Sequence, residues 1–290
     1  MVWHEAVTAP APVMPARRGT GWHARLELGF EERPDKTVIA KRRHSGPLTI
    51  QKPFYPEAAG TCHVYLLHPP GGVAGGDSLE LEVSVGDRAR ALITTPAAGK
   101  FYRCEGKQAS WRQRFRVNTG ATLEWLPQET IVFDGSSAEL CSRIEIEPDA
   151  RFLGWETVCL GRPAAQESFT SGHFRQRLEI WRAERPVLIE RSLFKGGAEM
   201  LGAGWGMRGC TVSATLVALP ADNELLNRVR AEVRLEEPGL FGATLINDVL
   251  ICRYLGFQAE HARRVFCTAW HVIRPHLAGH PACEPRIWNT

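Results

Sequence analysis

Apolar and polar residues alternate along most of this chain. From Ser78 to Val85, every second residue is Leu or Val, and the residues between them are Ser or Glu. That two-residue period is typical of a strand with one buried face. The same pattern predicts strands at residues 22–30, 36–41, 63–67, 88–95, 111–117, 121–126, 143–147, 174–181 and 187–194. Many short strands separated by turn residues predict a mainly β protein.

Two segments in the C-terminal third show the helical period instead. Asp222 or Asn223 can cap a helix over residues 224–235, whose leucines and valines form one apolar stripe. A second helix is predicted over residues 258–274, with Pro275 just beyond its end. The expected fold is therefore a large multi-stranded β architecture of stacked or helical sheets with two α-helices.

Composition separates a short N-terminal segment from the rest of the 290 residues. Residues 1–20 are rich in alanine and proline and are predicted to be a disordered tail. Residues 21–290 contain no clear linker and are predicted to form a single β-rich domain, long enough to bury a sizeable core. Residues 285–290 are predicted to return as a last strand.

The charge pattern argues against binding to nucleic acid or to a membrane surface. The formal net charge is +3 at pH 7, and basic residues alternate with acidic ones instead of forming runs. No segment is long and apolar enough to span a membrane. Arg112, Arg114 and Arg116 do share one face of a predicted strand, and ordinary solvent exposure is the favoured interpretation of that face.

The eight cysteines are interpreted as reduced thiols of a cytoplasmic protein, because the N-terminus lacks a secretion signal. No Cys-x-x-Cys motif is present. Cys267 and His271 lie four residues apart on the second helix and are weak candidates for holding a soft or borderline metal. Helix packing explains Cys267 equally well, and four suitably spaced ligands are missing, so no stable metal site is expected.

A glycine-rich connection at residues 68–77 joins two of the predicted strands. Its two prolines and two glycine pairs exclude a helix and allow unusual backbone conformations. The spacing does not match a phosphate-binding loop, and Asp77 closes the loop where a phosphate site needs a lysine. A wide hairpin loop is the favoured interpretation from residue chemistry alone.

Two further segments combine a constrained backbone with aromatic side chains. Phe54 and Tyr55 lie between prolines on a stiff, extended stretch. A later loop of small residues leads into Lys100, Tyr102 and Arg103, where a solvated turn and a recognition surface are equally open interpretations. These five residues are the candidates for a partner-binding surface.

Two acidic residues interrupt apolar strands. Glu156 lies within an apolar run that begins at Phe152, and it must reach solvent, a partner or a cation because burying it alone is costly. Glu190 lies within the strand at 187–194, where an ion pair with an arginine of another strand is the simplest role. No conventional catalytic motif is visible, so no catalytic residue is predicted.

Seven motifs in one order resemble those of the urease accessory protein family UreD, also called UreH. They are Gly46-Pro-Leu with Pro53-Phe-Tyr-Pro-Glu57, the run from Cys62 to Asp77, the run from Pro96 to Arg103, Glu124-Trp-Leu-Pro-Gln128, Cys159-Leu-Gly-Arg-Pro163, Arg274-Pro-His-Leu277 and Pro285-Arg-Ile-Trp288. The resemblance covers the chain from Trp22 to Thr290.

The resemblance implies a non-enzymatic maturation factor that docks on the urease apoprotein. It implies binding to the accessory protein UreF, and through UreF to the GTPase UreG, in a complex that is dimeric through these partners. That complex delivers nickel to the urease centre. The nucleotide chemistry would belong to UreG, and the absence of a phosphate-binding loop from this sequence is consistent with that division of roles. No intrinsic cofactor is implied, only transient Ni²⁺.

Members of the family are thought to hold an internal passage for nickel. The positions proposed to line it match Asp77, Gly99, Glu156 and Glu190 here. This chain has Ser78 where some members have a second acid, has Gly99 where serine occurs, and has Glu156 where aspartate also occurs. Sparse carboxylates with water bind nickel weakly enough to release it, whereas a chain of Cys and His sites would trap it. The sequence therefore predicts that the three acids converge on one polar interior route.

Two other functions stay open at this point. In a pure docking scaffold the acids would be structural ion pairs, and nickel would never enter the chain. A metal-dependent enzyme on a β scaffold would use Cys267, His271 and the neighbouring histidines. The scaffold predicts that neutralising the acids leaves urease activation unchanged.

Overall fold

The computed structural model describes residues 21–104, 106–235 and 238–289, so the predicted tail at residues 1–20 lies outside the described residues. The strands are β1 (His23–Glu32), β2 (Thr37–Ser45), β3 (Thr49–Ile50), β4 (Cys62–Leu67), β5 (Ser78–Val85), β6 (Arg90–Thr94), β7 (Gly99–Phe101), β8 (Ala109–Val117), β9 (Thr122–Leu126), β10 (Thr130–Val132), β11 (Ser137–Ile146), β12 (Arg151–Leu160), β13 (His173–Arg182), β14 (Arg185–Lys195), β15 (Val212–Leu219), β16 (Gly239–Ile246) and β17 (Val249–Gly256). The helices are α1 (Glu199–Gly202), α2 (Asn223–Glu232) and α3 (Ala259–Ala278).

The strands form two large sheets. The seven-stranded sheet has the order β14-β13-β11-β8-β5-β1-β2, and the ten-stranded sheet follows the path β16-β17-β15-β12-β9-β6-β4-β3. The two remaining short strands, β7 and β10, pair with each other, and β10 also pairs with β12. The prediction of a mainly β protein with two longer helices near the C-terminus is confirmed, and α1 adds a single short turn.

The middle of the chain forms a coil whose successive strands alternate between the two sheets. Each turn gives one strand to the seven-stranded sheet and the next to the ten-stranded sheet, so β5, β8 and β11 pair in parallel, as do β6, β9 and β12. Ser78 lies opposite Ser110, and Ser110 lies opposite Glu139, so consecutive turns stack in register. Stacking of this kind is the arrangement of a β-solenoid.

Two cores result from this arrangement. One fills the space between the sheets and includes Leu26, Phe115 and Phe152, each almost fully buried. The other lies between the ten-stranded sheet and the helices, and includes Phe266 and Trp270. Helices α2 and α3 therefore cover one outer face of the molecule. None of the helices in the described part is long and apolar enough to cross a membrane.

Two local predictions near the C-terminus are wrong. Pro275 lies inside α3, which continues to Ala278 and ends where the Gly279 N–H bonds to the Pro275 carbonyl. Gly279 adopts the left-handed conformation (φ 76°) that favours glycine at a helix end. The segment predicted as a strand at residues 285–290 forms a 3₁₀ turn at Arg286–Asn289 instead, and the Trp288 indole donates to the buried Thr94 hydroxyl at 2.8 Å.

Candidate functional site

A cavity of about 250 Å³ lies between the two sheets. Its walls come from both sheets and are largely apolar, and Trp111, Trp125 and Phe101 are among the lining residues. The loops at residues 67–73 and 95–101 form its outer part. The polar residues that line the cavity are His68, Thr95, Lys100, Gln113, Gln128, Thr130, Glu156 and Thr157. The structure thus provides an internal space at the centre of the coil.

Glu156 reaches this cavity from β12 and is 5% exposed. The Gln176 amide donates to one carboxylate oxygen at 2.6 Å, and the Ser142 hydroxyl bonds to the other. No lysine or arginine among the described residues forms an ion pair with it. Burial raises the pKa of Glu156 above its usual value, and the nearby Glu190 carboxylate raises it further.

Ser142 links Glu156 to Gln113 by hydrogen bonds. The Ser142 oxygen lies within bonding distance of Gln113 Oε1, at 3.0 Å, and of a Glu156 oxygen. A serine hydroxyl has only one proton to donate. If Glu156 carries a proton, it donates to Ser142, and Ser142 donates to Gln113, so every oxygen is satisfied. Burial shifts Glu156 towards its neutral form, and Ser142 and Gln176 satisfy its oxygens in place.

Glu190 lies on the inner side of β14, at a cleft on the far side of the same inter-sheet layer. It forms an ion pair with Arg253 of β17, and the Thr215 hydroxyl lies 3.5 Å from it. Thr215 is also the register partner of Glu156 in the ten-stranded sheet. Glu190 and Glu156 thus approach each other across Thr215, and the ion pair expected for Glu190 is present.

These residues define a polar layer between the sheets. Its members are Gln113, Ser142, Glu156, Gln176, Glu190, Thr215 and Arg253. The polar layer leads from the inter-sheet cavity, which Gln113 and Glu156 line, to the cleft lined by Glu190, Thr215 and Arg253. The layer consists of two hydrogen-bonded groups, one around Glu156 and one around Glu190, whose nearest members Glu156 and Thr215 are register partners on neighbouring strands.

Gly99 lines the inter-sheet cavity from β7. A Cβ atom added at this position would lie 3.4 Å from the Trp111 ring and 3.8 Å from the Thr130 hydroxyl, which are ordinary contacts. A small side chain is therefore tolerated at residue 99, and a larger one would fill the cavity. Gly99 and Glu156, two of the positions that the family resemblance assigns to the passage, line the same cavity, and their role in nickel transfer stays a prediction.

Asp77 has a different position from the other predicted acids. One carboxylate oxygen accepts from the Trp22 N–H at 2.7 Å, and the other accepts from the Ala74 N–H at 2.8 Å. Asp77 therefore holds the glycine-rich loop closed and does not line the inter-sheet cavity. Its charge still influences the cavity entrance, since burial lowers the pKa of His68 and the Asp77 carboxylate partly opposes that change.

The five predicted surface residues divide into two groups. Phe54 stacks on Tyr65, with ring centroids 4.7 Å apart, and Lys36 lies over the Tyr55 ring, so both aromatic residues are half-buried beside β4. The second group surrounds the cavity entrance. Lys100 lines the cavity, Tyr102 packs edge-on against Phe133 at 5.0 Å, and Arg103 is exposed and pairs with Asp134 at 3.2 Å. Their role in partner binding stays a prediction.

The proposed metal ligands on α3 are occupied by other interactions. His271 Nδ1 donates to the Cys267 carbonyl at 2.7 Å, and its other ring nitrogen lies 3.7 Å from Glu284. Burial raises the pKa of the Cys267 thiol to about 12, which disfavours the thiolate that a metal requires. Across residues 21–104, 106–235 and 238–289, no group of three His, Cys, Asp or Glu side chains is arranged to hold a metal ion.

A second buried network was missed by sequence reasoning. Arg274 of α3 is 1% exposed and donates to Glu124 at 3.0 Å and to Glu57 at 2.7 Å. Glu57 also bonds to His63 at 2.5 Å and lies 3.1 Å from His280. All three charged residues lie in motifs already noted, and Glu124 stands in an apolar strand, which was the available signal.

This network ties the C-terminal helix to the loop before β4. Burial alone would raise the pKa of Glu57, but the bonds from His63 and Arg274 lower it to about 2. Because this value lies below the usual 4.5, the network stabilises the fold above about pH 4.5. That stabilisation is lost as the pH falls from about 4.5 towards 2.

The fold and the site define a class of protein: a coiled β architecture with one acid, Glu156, buried between its sheets and no recognisable catalytic or nucleotide-binding motif. The family model described as UreD urease accessory protein matches residues 23–289. The chain belongs to this family.

Curated relatives agree with that assignment along nearly the whole chain. Urease accessory protein UreD 2 of Brucella anthropi is 46% identical over 272 residues, covering 93% of this chain and 99% of the relative. Urease accessory protein UreD of Dechloromonas aromatica is 43% identical over 288 residues, covering 98% and 100%. UreD of Pseudomonas putida strain W619 is 47% identical over 272 residues, covering 93% and 95%.

Proposed function

We propose that this chain is a non-enzymatic, cytoplasmic factor that docks on the urease apoprotein and, with UreF and UreG, delivers nickel to the urease centre through an internal passage. Membership of the urease accessory family supports the role in maturation. The observation that carries the passage is the polar layer, which joins the inter-sheet cavity to the cleft at Glu190.

The chemistry of the polar layer suits a transient cation. Carboxylate, amide and hydroxyl oxygens bind divalent nickel more weakly than imidazole or thiolate, so the ion can be released again. A passing nickel ion would replace the proton of Glu156. The ion pair with Arg253 would hold the nearby Glu190 carboxylate in position to bind the ion next. Nickel would thus be a cargo of this chain, and the chain needs no resident cofactor.

The docking scaffold is a second candidate, and a specific observation favours it. Asp77 and Glu190 each have structural partners, as the scaffold predicts. Glu156 distinguishes the two functions, because a buried acid without a cationic partner is costly and a scaffold has no use for it. In the proposed assembly the chain becomes part of a dimeric complex only through its partners.

The test compares urease matured in cells with the intact chain, without it, and with Glu156→Gln and Glu190→Gln combined. Asp77→Asn is prepared separately, because it changes the glycine-rich loop. We expect deletion to abolish nickel content and urea hydrolysis, and the double variant to bind its partners but load at least about tenfold less nickel. Full nickel loading of urease with the double variant would contradict the passage and leave the docking scaffold as the remaining function.

A further inference from the structure

The seven-stranded sheet has an outer face that no helix among residues 21–104, 106–235 and 238–289 covers. Alternation along each strand points Leu79, Phe115 and Ile144 into the core and the intervening residues outwards. Helices α2 and α3 pack on the ten-stranded sheet, and no helix in the described part of the chain covers the seven-stranded one. We call the outward side chains of β1, β2, β5, β8, β11, β13 and β14 the outer face.

Charged side chains dominate the outer face, and basic ones are in excess. The basic residues are Arg25, Lys41, Arg43, Arg112, Arg114, Arg116, Arg143, Arg175, Arg177, Arg191 and Lys195. The acidic residues are Glu27, Glu31, Glu80, Glu82, Glu139, Glu145 and Glu179. This excess exceeds the net charge of +3 carried by the whole chain, so positive charge is concentrated here.

Three exposed arginines of this face, two on the central strand β8 and one on β13, make no ion pair in the described part of the chain. Arg112, Arg114 and Arg175 form no ion pair or hydrogen bond with any described residue. Glu82 lies opposite Arg114 and pairs with Arg25 at 3.1 Å, whereas Glu80 and Glu139 lie opposite Arg112 and Arg175 without forming an ion pair with them. The three guanidinium groups therefore make no direct bond within the described residues, and a partner's carboxylates could bind them while the face as a whole keeps its excess of positive charge.

An apolar strip borders these arginines. Ile189 and Leu193 of β14 are 43% and 39% exposed, and both point outwards on either side of Arg191. Exposed aliphatic side chains beside arginine are a combination that protein interfaces use, because the apolar part supplies burial and the arginine supplies directional bonds.

The size of the outer face matches a protein partner. Seven strands spaced about 4.8 Å apart, each with about eight residues rising 3.3 Å, cover roughly 800 Å². A standard protein interface buries about 800 Å² on each partner. The outer face is thus large enough to form a specific interface on its own.

We propose that the outer face is a docking surface for an acidic surface on the urease apoprotein. The inference rests on the proposed function for the choice of urease as the partner. The basic residues of the outer face favour an acidic partner surface, whose carboxylates would pair with Arg112, Arg114 and Arg175. An apolar edge of the same partner surface would cover Ile189 and Leu193.

Other occupants fit the outer face less well. A nucleic acid presents phosphates at regular intervals, and Glu80, Glu82 and Glu139 stand between the arginines where those phosphates would lie. A second copy of this chain would bring the same excess positive charge against itself. A folded protein with carboxylates in selected places avoids both conflicts.

The test measures binding of the full chain to purified urease apoprotein at 50 mM and 200 mM salt. The test variant combines Arg112→Gln, Arg114→Gln and Arg175→Gln, which removes charge without placing new carboxylates beside Glu82. The matched control combines Arg208→Gln, Arg228→Gln and Arg234→Gln, three exposed arginines away from the outer face. Melting curves confirm that both variants fold.

We expect the test variant to bind at least about tenfold more weakly at 50 mM salt and to show a flatter salt dependence. The control should bind like the intact chain. Equal binding by the test variant, equal weakening by the control, tighter binding of the intact chain to duplex DNA than to urease, or self-association through this face would each overturn the inference.

Urease activation in cells separates this inference from the proposed function. If the test variant binds and activates urease normally while deletion abolishes activation, only the docking surface is wrong. If urease matures fully without the chain, the proposed function is wrong as well, and so is the docking surface that depends on it. Failure of the intact chain to bind the apoprotein at 50 mM salt would overturn both.

Discussion

At the scale of single residues, the most informative side chain is Glu156. It is buried without a cation, and Ser142 and Gln176 hold it in a fixed position. Its folded-state pKa is raised, so the folded protein keeps a proton that the unfolded chain releases above about pH 4.5. Folding is therefore penalised increasingly as the pH rises from about 4.5 towards the raised pKa.

Glu156→Gln should remove this penalty, because glutamine resembles the protonated acid. We expect the variant and the intact chain to melt at similar temperatures near pH 4, and the variant to melt a few degrees higher at pH 7, since about 1 kcal/mol shifts the Tm of a large domain by roughly 2–4 °C. Scanning calorimetry from pH 4 to 8 measures the difference. Parallel curves for the two proteins would show that Glu156 titrates normally. Glu139→Gln, on the outer face of the neighbouring strand, is the control.

Arg274 is the residue on which the second buried network depends. Arg274→Met should destabilise the fold by about 3–5 kcal/mol, because Glu57 and Glu124 would stay buried without their cation. Urea unfolding at pH 7 measures the change. Arg228→Met on the exposed side of α2 should alter stability by less than about 0.5 kcal/mol. A loss below about 1 kcal/mol at Arg274 would mean that the network does not hold α3 in place.

At the scale of secondary-structure elements, sequence patterns predicted most strands because burial follows the two-residue period. The pattern in β5 gives its bounds directly, and Asp222 caps α2 as expected, accepting from the Leu225 N–H at 2.8 Å. The end of α3 was missed because Pro275, which has no N–H to bond within the helix, would ordinarily end it, whereas tertiary packing buries Leu277 and the helix continues to Ala278. The last residues were misassigned because Trp288 is fixed by tertiary contacts, not by a local pattern.

Asp222→Ala should cost about 1 kcal/mol, because it removes the only side-chain acceptor for the first turn of α2 among the described residues. Asn223→Ala is the matched control, since Asn223 is the first helical residue and makes no capping bond there. Urea unfolding compares the two variants. Equal losses would contradict the assignment of Asp222 as the cap.

At the scale of the whole molecule, the coiled path of the chain determines which residues that are distant in sequence lie close together in space. Gly99, Glu156 and Glu190 are far apart in sequence, and stacking of turns in register brings them to one inter-sheet layer. Their convergence could be predicted only from the family resemblance, because no local pattern encodes which strands become neighbours. Asp77 shows the limit of that approach, since its carboxylate closes a loop instead of facing the cavity.

The network of Glu57, Glu124 and Arg274 could not be predicted for the same reason. Glu124 stands out as an acid within an apolar strand, but nothing in the sequence names Arg274 and Glu57 as its neighbours. Only the packing of α3 against the ten-stranded sheet places the guanidinium between the two carboxylates. That residues 21–290 act as a single domain stays a prediction.

The central claim is that nickel moves through the inter-sheet cavity, and filling that cavity tests it most directly. Gly99→Leu places a side chain into the cavity, whereas Gly204→Leu places the same side chain at an exposed site with open space around it. The measurement is nickel per urease active site in cells that carry either variant, with partner binding checked in parallel. We expect Gly204→Leu to support full loading and Gly99→Leu to bind its partners but load at least about tenfold less nickel. Full nickel loading with the cavity filled would contradict the passage.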